Sequence, residues 1–248
     1  MKHGTSDTDS GTAVRHTRPT LLSVIMPAYN EERIIREAID SSLAVDLGPV
    51  KIEMIIVNDG SDDGTSTILE DYLGVENIKI FTHEKNQGKG AAIRTALSHA
   101  TGDIITIEDA DLELDPNDYP RLIEPIMNNE ADVVFGSRFK GKVENMSLFS
   151  WLGNRLVSLI TSLLFWTWVS DEATCYKVFR REILMSFDLK CTGFEFCPEV
   201  TAKMLRAGYR YVEVPVDYCG RSVHDGKKVK ARDGLHAIRT LVKYRFVS

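Results

Sequence analysis

The chain has little of what marks the special classes of protein. Its four cysteines, Cys175, Cys191, Cys197 and Cys219, include no CxxC pair and no regular spacing. Neither a disulfide framework nor a structural zinc site is expected, and the thiols read as reduced. Positive charge is not in excess: 30 Lys and Arg stand against 36 Asp and Glu, a formal net charge of -6. That balance excludes a surface built for nonspecific nucleic-acid binding, and no nucleic-acid partner is expected. No uncharged apolar run reaches the roughly 20 residues of a bilayer-crossing helix. Residues 1–19 lack the apolar core of a secretory signal and, rich in Ser, Thr, Asp and His, read as a disordered N-terminal tail. What remains, 43% hydrophobic and 27% charged over 248 residues, is the composition of a soluble globular enzyme with room for one large α/β domain.

From Leu21 to about Ala100 short β-rich runs alternate with helical patterns, the rhythm of βαβ units and a mostly parallel sheet. Strands are predicted near Leu22–Met26, Glu53–Val57, Ile78–Thr82, Ile104–Ile107 and Asp132–Phe135. Between them, Ile35, Ile39 and Leu43 recur at spacing four, as do Ile68 with Tyr72, Leu69 with Leu73 and Ile93 with Leu97, the stripes of core-facing helices. Asn30 and Ser61, each followed by acidic residues, read as helix caps. Polar clusters at Pro27–Glu31, Asn58–Ser61 and Glu108–Glu113 each follow a strand, and ligands of open α/β sheets collect at such ends, so a nucleotide crevice is expected there.

Three segments carry chemistry. In Glu108-Asp109-Ala110-Asp111-Leu112-Glu113 alternate side chains of an extended segment share one face, so Asp109, Asp111 and Glu113 converge if the strand runs that far. Hard oxygen ligands at that spacing suit Mg2+ or Mn2+; the bland reading is a solvated acidic turn. Gly88-Lys89-Gly90 opens a helix, whose amino end either takes an anion or uses its glycines for close packing. Leu156–Val169 has no charge over fourteen residues, and reads as a buried core helix or as a helix at a membrane interface, where Trp151, Trp166 and Trp168 suit the headgroup level.

Taken in order, Val24-Ile25-Met26-Pro27-Ala28-Tyr29-Asn30-Glu31, Ile56-Val57-Asn58-Asp59-Gly60-Ser61, Asn86-Gln87-Gly88-Lys89-Gly90, Asp109-Ala110-Asp111-Leu112-Glu113 and Gly136-Ser137-Arg138-Phe139 make the chain resemble the family 2 glycosyltransferases, close to the dolichyl-phosphate mannose synthases and polyprenyl-phosphate hexose synthases. The resemblance covers Leu22–Arg138 and extends more weakly to about Lys228. It implies a GT-A fold, an α/β domain with a Rossmann-like, mostly parallel central sheet flanked by helices, over residues 20–228. Residues 229–248 read as a C-terminal amphipathic helix, with Leu235, Ile238, Leu241 and Val242 on one face, that packs on the apolar segment or meets anionic headgroups.

The resemblance also implies site roles. Pro27, Tyr29, Glu31, Val57 and Asp59 would line the nucleoside pocket, with Ala28, Asn30, Lys89 and Ala110 beside them and Asp59 reading the base or ribose. Asp109, Asp111 and Glu113 would hold Mg2+ or Mn2+ on the nucleotide-sugar diphosphate, Glu113 standing where the mannose synthases usually carry Gln. Arg138, Arg221, Lys227 and Lys228 match positions that contact donor diphosphate or acceptor phosphate. Glu195 and Glu199 are candidates for contacts to sugar hydroxyls or for a general base, or are acids at a helix start.

The implied reaction is inverting transfer of a hexose to a polyprenyl or dolichyl phosphate by a protein peripheral to the cytoplasmic face of a membrane, with or without a membrane-protein partner. Alternatives are a sugar-hydroxyl acceptor and a nonenzymatic nucleotide-sugar-binding module.

Overall fold

A computed structural model describes residues 19–221 and 231–247. Its frame is set by β1 (Leu21–Ala28), whose apolar run is buried on both faces, as suits a central strand covered by helices on either side. β2 (Lys51–Asn58) and β4 (Ile104–Ile107) pair parallel with it, and β3 (Ile78–Thr82) pairs parallel with β2 at the edge. Beyond β4 the seven-stranded order continues through β7 (Lys177–Arg180), β5 (Val133–Ser137) and β8 (Tyr211–Pro215). β7 runs antiparallel to both its neighbours, whereas β5 and β8 are parallel to each other. The sheet is therefore mostly parallel, as expected.

The strand-end clusters meet because register brings them level. Ala28 pairs with Asn58 and Ile25 with Ile107, so the ends of β1, β2 and β4 open onto one crevice. α1 (Ile35–Leu43) and α3 (Lys89–Leu97) bury Ile35, Ile39, Ile93 and Leu97 as their spacing predicted. α2 (Thr65–Glu70) is shorter than its stripe, so Leu73 lies beyond it and is exposed. Neither Asn30 nor Ser61 caps a helix. Asn30 takes a left-handed conformation (φ 52°), and its amide nitrogen and oxygen bond Asp62 while its backbone N–H donates to Ser61 Oγ at 3.0 Å. The two residues tie the β1 and β2 loops together.

The second half of the chain supplies the roof. α4 (Tyr119–Met127) packs on β5, and a small parallel pair, β6 (Val143–Glu144) with β9 (Tyr218–Cys219), returns the chain over the crevice. α5 (Leu148–Phe165) starts at Ser147, whose hydroxyl accepts from the Ser150 N–H at 3.1 Å. α6 (Arg181–Ser186) follows β7, and α7 (Phe196–Ala207) precedes β8. α8 (Ala231–Phe246) packs on α5 and α7 through Leu241, Tyr244 and Ile238 against Val157 and Ala202, while Leu235 and Val242 stay exposed. Arg245 donates to the Leu164 carbonyl at 2.7 Å, closing the end of α5.

One core carboxylate makes stability depend on pH. Burial favours the neutral form of Glu53, but bonds from Ser23, Lys79 and Thr101 outweigh it and lower its pKa from 4.5 to about 2. As pH falls from about 4.5 through about 2 the unfolded chain takes a proton that the folded chain refuses, and on the order of 3 kcal/mol of stability is lost. Urea unfolding from pH 6 to 2.5 is expected to show a steeper acid decline in the wild type than in Glu53→Gln. Equal slopes would remove Glu53 from that decline.

Candidate active site

The acidic motif is a turn, not an extended segment. β4 stops at Ile107, and the Glu108 side chain folds inward to accept from the Tyr119 hydroxyl at 2.7 Å, where burial holds its carboxyl well above the usual range. Asp109 faces Lys89, the first residue of α3, at 2.5 Å. Desolvation opposes the Lys89 charge, but Asp109 outweighs it and holds the ammonium above its ordinary range. Ala110 is buried, and Leu112 takes φ 55°, turning the chain before Glu113.

Convergence of three ligands therefore fails at the backbone. Among the described residues no three His, Cys, Asp or Glu side chains are grouped to hold a metal. The Glu113 carboxylate accepts instead from the Tyr218 hydroxyl and from the Arg221 N–H, each at 2.8 Å.

Asp109 and Asp111 nonetheless fit a divalent cation. Desolvation, then the charges of Asp109 and Glu113, push the Asp111 carboxyl up to about 7 against the pull of Arg221. This oxygen-rich cluster is short of positive charge, and Mg2+ or Mn2+ on two carboxylates takes its other ligands from water and substrate phosphate.

Arg221 spans the crevice, reaching Glu31 at 3.1 Å and Asp111 at 3.4 Å. Lys227 and Lys228 lie outside the described residues. Arg138, implied by the resemblance as a phosphate contact, is closed on Asp171: its Nε and Nη2 donate to the two carboxylate oxygens at 2.7 and 2.8 Å, its N–H adds a third bond, and both residues are buried. Its guanidinium lies 5.2 Å from the centre of the Tyr218 ring.

The residues that the resemblance implies for a nucleoside pocket stand at the β1 and β2 ends. Val57, Ala28 and Asp59 are buried; Pro27, Tyr29, Asn30 and Glu31 are partly exposed and border the opening. Asp59, implied as the base or ribose contact, is already engaged: Oδ1 meets His83 Nδ1 at 2.7 Å and the Gln87 N–H at 2.9 Å, and Oδ2 accepts from the Gly88 N–H at 2.7 Å. It holds the loop before α3 rather than an open face. Gly88 has φ 96°, and a Cβ there would lie 2.3 Å from the Thr192 carbonyl oxygen, so the Gly88-Lys89-Gly90 glycines serve close packing against residues 191–193.

That contact explains Glu195 and Glu199. Glu195 accepts from the Thr192 and Gly193 N–H groups at 2.8 and 3.0 Å. Glu199, fully buried, accepts from those of Lys190 and Cys191 and pairs with Lys203 at 2.6 Å. Both brace the loop seated on α3, and hydrogen bonds hold both pKa values down despite burial. Neither is placed as a general base. His83, Asp171 and Tyr218 were missed in the sequence; a lone acid or aromatic without helical or strand periodicity leaves no local signal, though Asp171 does end the apolar run.

The four cysteines are free thiols, as read. Of the two readings of the apolar run, the buried core helix is not what the structure shows. α5 begins eight residues before the uncharged run, and Leu152, Leu156, Leu159 and Leu163 along it and Trp166 just past its end are all exposed, Trp166 at 86%. Val157, Ser158 and Thr161 are the buried residues of α5. By length and composition alone the helix could cross a bilayer, with a mean hydropathy of 1.4.

Comparison with known proteins agrees with the fold. The model of the family "Glycosyl transferase family 2" matches residues 23–187, and the chain belongs to that family of nucleotide-sugar glycosyltransferases. It is 32% identical over 216 residues to the UDP-N-acetylglucosamine–dolichyl-phosphate N-acetylglucosaminyltransferase of Methanococcus voltae, covering 79% of this chain and 84% of that one. It is 28% identical over 211 residues to the dolichol-phosphate mannosyltransferase of Pyrococcus furiosus, 83% of this chain but 58% of that one. The chain thus spans most of the first relative and little more than half of the second. The fold is that of glucosyl-3-phosphoglycerate synthase from Mycobacterium tuberculosis, solved with Mn2+, UDP and phosphoglyceric acid: TM-score 0.72 at 20% identity, covering 93% of this chain and 80% of that one.

Proposed function

We propose that the protein transfers a hexose from a nucleotide sugar to a polyprenyl or dolichyl phosphate, with inversion, at the cytoplasmic surface of a membrane. The observation that carries the acceptor class is an uncovered apolar helix, α5, whose first turn lies against Phe139. Phe139 follows Arg138 and meets Trp151 of α5 edge-on at 6.1 Å, with Arg155 over the Phe139 ring at 5.1 Å. An acceptor with a charged head and an apolar tail suits that junction. Leu152, Leu159, Leu163, Trp166 and Trp168 then lie in the membrane interface.

Asp109 and Asp111 would hold Mg2+ or Mn2+, which when bound neutralises the charge of the departing nucleoside diphosphate. Arg221 and Lys89 supply protein charge on either side of the two carboxylates. A phosphate monoester, with a second pKa of about 6, needs no protein base to remove a proton near neutral pH. The engagement of Glu195 and Glu199 by loop N–H groups favours this acceptor over a sugar hydroxyl, which needs a free carboxylate in reach.

The membrane half of the reading is tested by cosedimentation with liposomes containing anionic lipid. Wild type is expected to pellet, and Leu163→Ser with Trp166→Ser to stay in solution while retaining the fold. Equal and negligible pelleting of both would contradict it.

A further inference from the structure

We propose that Glu113 is a positioning residue that fixes Arg221 across the Asp109–Asp111 pair, and not a third metal ligand. The inference rests on the reading of the crevice as a metal and nucleotide-sugar site, and assigns Glu113 a different task within it.

Backbone conformation comes first. Were the chain extended from Asp109, Glu113 would share a face with both aspartates. The strand ends at Ile107, and the left-handed Leu112 redirects the chain. The Glu113 carboxylate meets the segment that returns over the crevice.

That segment is held by Glu113 at three atoms. Oε2 accepts from the Tyr218 hydroxyl at 2.8 Å, Oε1 from the Arg221 N–H at 2.8 Å, and the backbone carbonyl from the Cys219 N–H at 2.9 Å. Leu114 adds a bridge to Tyr218. Burial and the neighbouring Glu113 charge raise the Tyr218 phenol above its ordinary range, so it stays protonated and donates. Its ring lies against Arg138, which Asp171 holds still. Glu113 is thus the joint between the acidic turn and residues 218–221.

The side chain positioned by this joint is Arg221. With its backbone pinned, the guanidinium bridges Glu31 of the β1 loop and Asp111. Its Nε is buried and has no partner among the described residues. A buried donor without an acceptor costs stability, and an incoming phosphate oxygen would satisfy it. Glu113 holds that donor ready through its main chain, at the other end of the residue.

The chemistry of substitution separates the two roles. A glutamine amide keeps both contacts: its oxygen accepts the Arg221 N–H, and its NH2 donates to the Tyr218 oxygen. Glu113→Gln therefore preserves the joint and removes the anionic charge, whereas Glu113→Ala loses both contacts. Tyr218→Phe loosens the joint without touching a carboxylate.

The test combines amide hydrogen exchange over residues 218–221 with titration of Mn2+, alone and with UDP or GDP. Glu113→Ala is expected to speed Arg221 amide exchange by about tenfold or more, with Mn2+ affinity unchanged; Glu113→Gln should match wild type in both. Tyr218→Phe is expected to speed exchange in the same peptide, which keeps the test decisive if Glu113→Ala does not fold. Exchange unchanged in Glu113→Ala and Tyr218→Phe, with Mn2+ affinity lost in Glu113→Ala and Glu113→Gln as in Asp111→Asn, would overturn the proposal. Failure of wild type to bind Mn2+ under any of these conditions would instead overturn the metal reading, and exchange would still decide the joint.

Discussion

Asp111→Asn is expected to lower kcat/KM for hexosyl transfer on the order of a hundredfold to a thousandfold, the scale of removing one electrostatic partner from a developing anion. Asp111 carries the largest expected effect because of its position. Its carboxylate sits between Asp109, Glu113 and Arg221, and desolvation with its acidic neighbours pushes its pKa up to about 7. Asparagine keeps the shape and the bond that Asp111 Oδ1 accepts from the Glu113 N–H. It removes the charge that a divalent cation would meet. The fold should survive, since a crowded acidic cluster is relieved rather than broken, and the thermal midpoint should hold or rise. Steady-state kinetics with Mn2+ and a circular-dichroism melt check both halves. An active Asp111→Asn enzyme would remove the carboxylate pair from the chemistry.

Asp171→Ala is expected to cost about 3–5 kcal/mol of folding stability, because it leaves the Arg138 guanidinium buried without a counterion. Three bonds join the pair, and Asp171 is fully buried. With roughly 2–4 °C per kcal/mol for a chain of this size, the thermal midpoint should fall by about 6–20 °C. The double variant Arg138→Met with Asp171→Leu should recover much of that loss, since an apolar pair of similar volume often replaces a buried ion pair at little cost. Calorimetry of the three proteins checks it. If the double variant were no more stable than the single one, backbone packing around β5, rather than an unpaired charge, would account for the loss.

Sequence alone showed much of the first half of the fold, for a physical reason. Val24–Met26, Met54–Val57 and Ile104–Ile107 are apolar runs buried on both faces, ended by polar clusters, and such runs leave a clear mark. β7 and β8 were not marked. Lys177–Arg180 is only four residues long and puts two charged side chains in the core, one paired by Asp132 and the other over the Phe135 ring. Tyr211–Pro215 is a half-covered edge strand containing proline.

In the site, the chemistry of Asp109 and Asp111 was legible from residue type and position after a strand. The direction of Glu113 was not, because it depends on one left-handed residue, Leu112, which no local pattern announces. Asp59 is implied as a ligand contact, and Glu195 and Glu199 read either as ligand contacts or as acids at a helix start; each holds N–H groups of a neighbouring loop, and both glutamates stand at the start of α7. An acid in a polar loop reads the same whether its partner is substrate or backbone. The apolar stretch in α5 was visible as composition, but its exposure depends on how little of it α7 and α8 cover.

The most direct measurement is a transfer assay with Mg2+ or Mn2+ that offers GDP-mannose, UDP-glucose and UDP-N-acetylglucosamine against a short polyprenyl phosphate. The expected result is one metal-dependent glycolipid phosphate product, lost on chelation and formed about a hundredfold or more slowly by Asp111→Asn. Donor binding without lipid product, together with transfer to a sugar hydroxyl, would contradict the proposed acceptor.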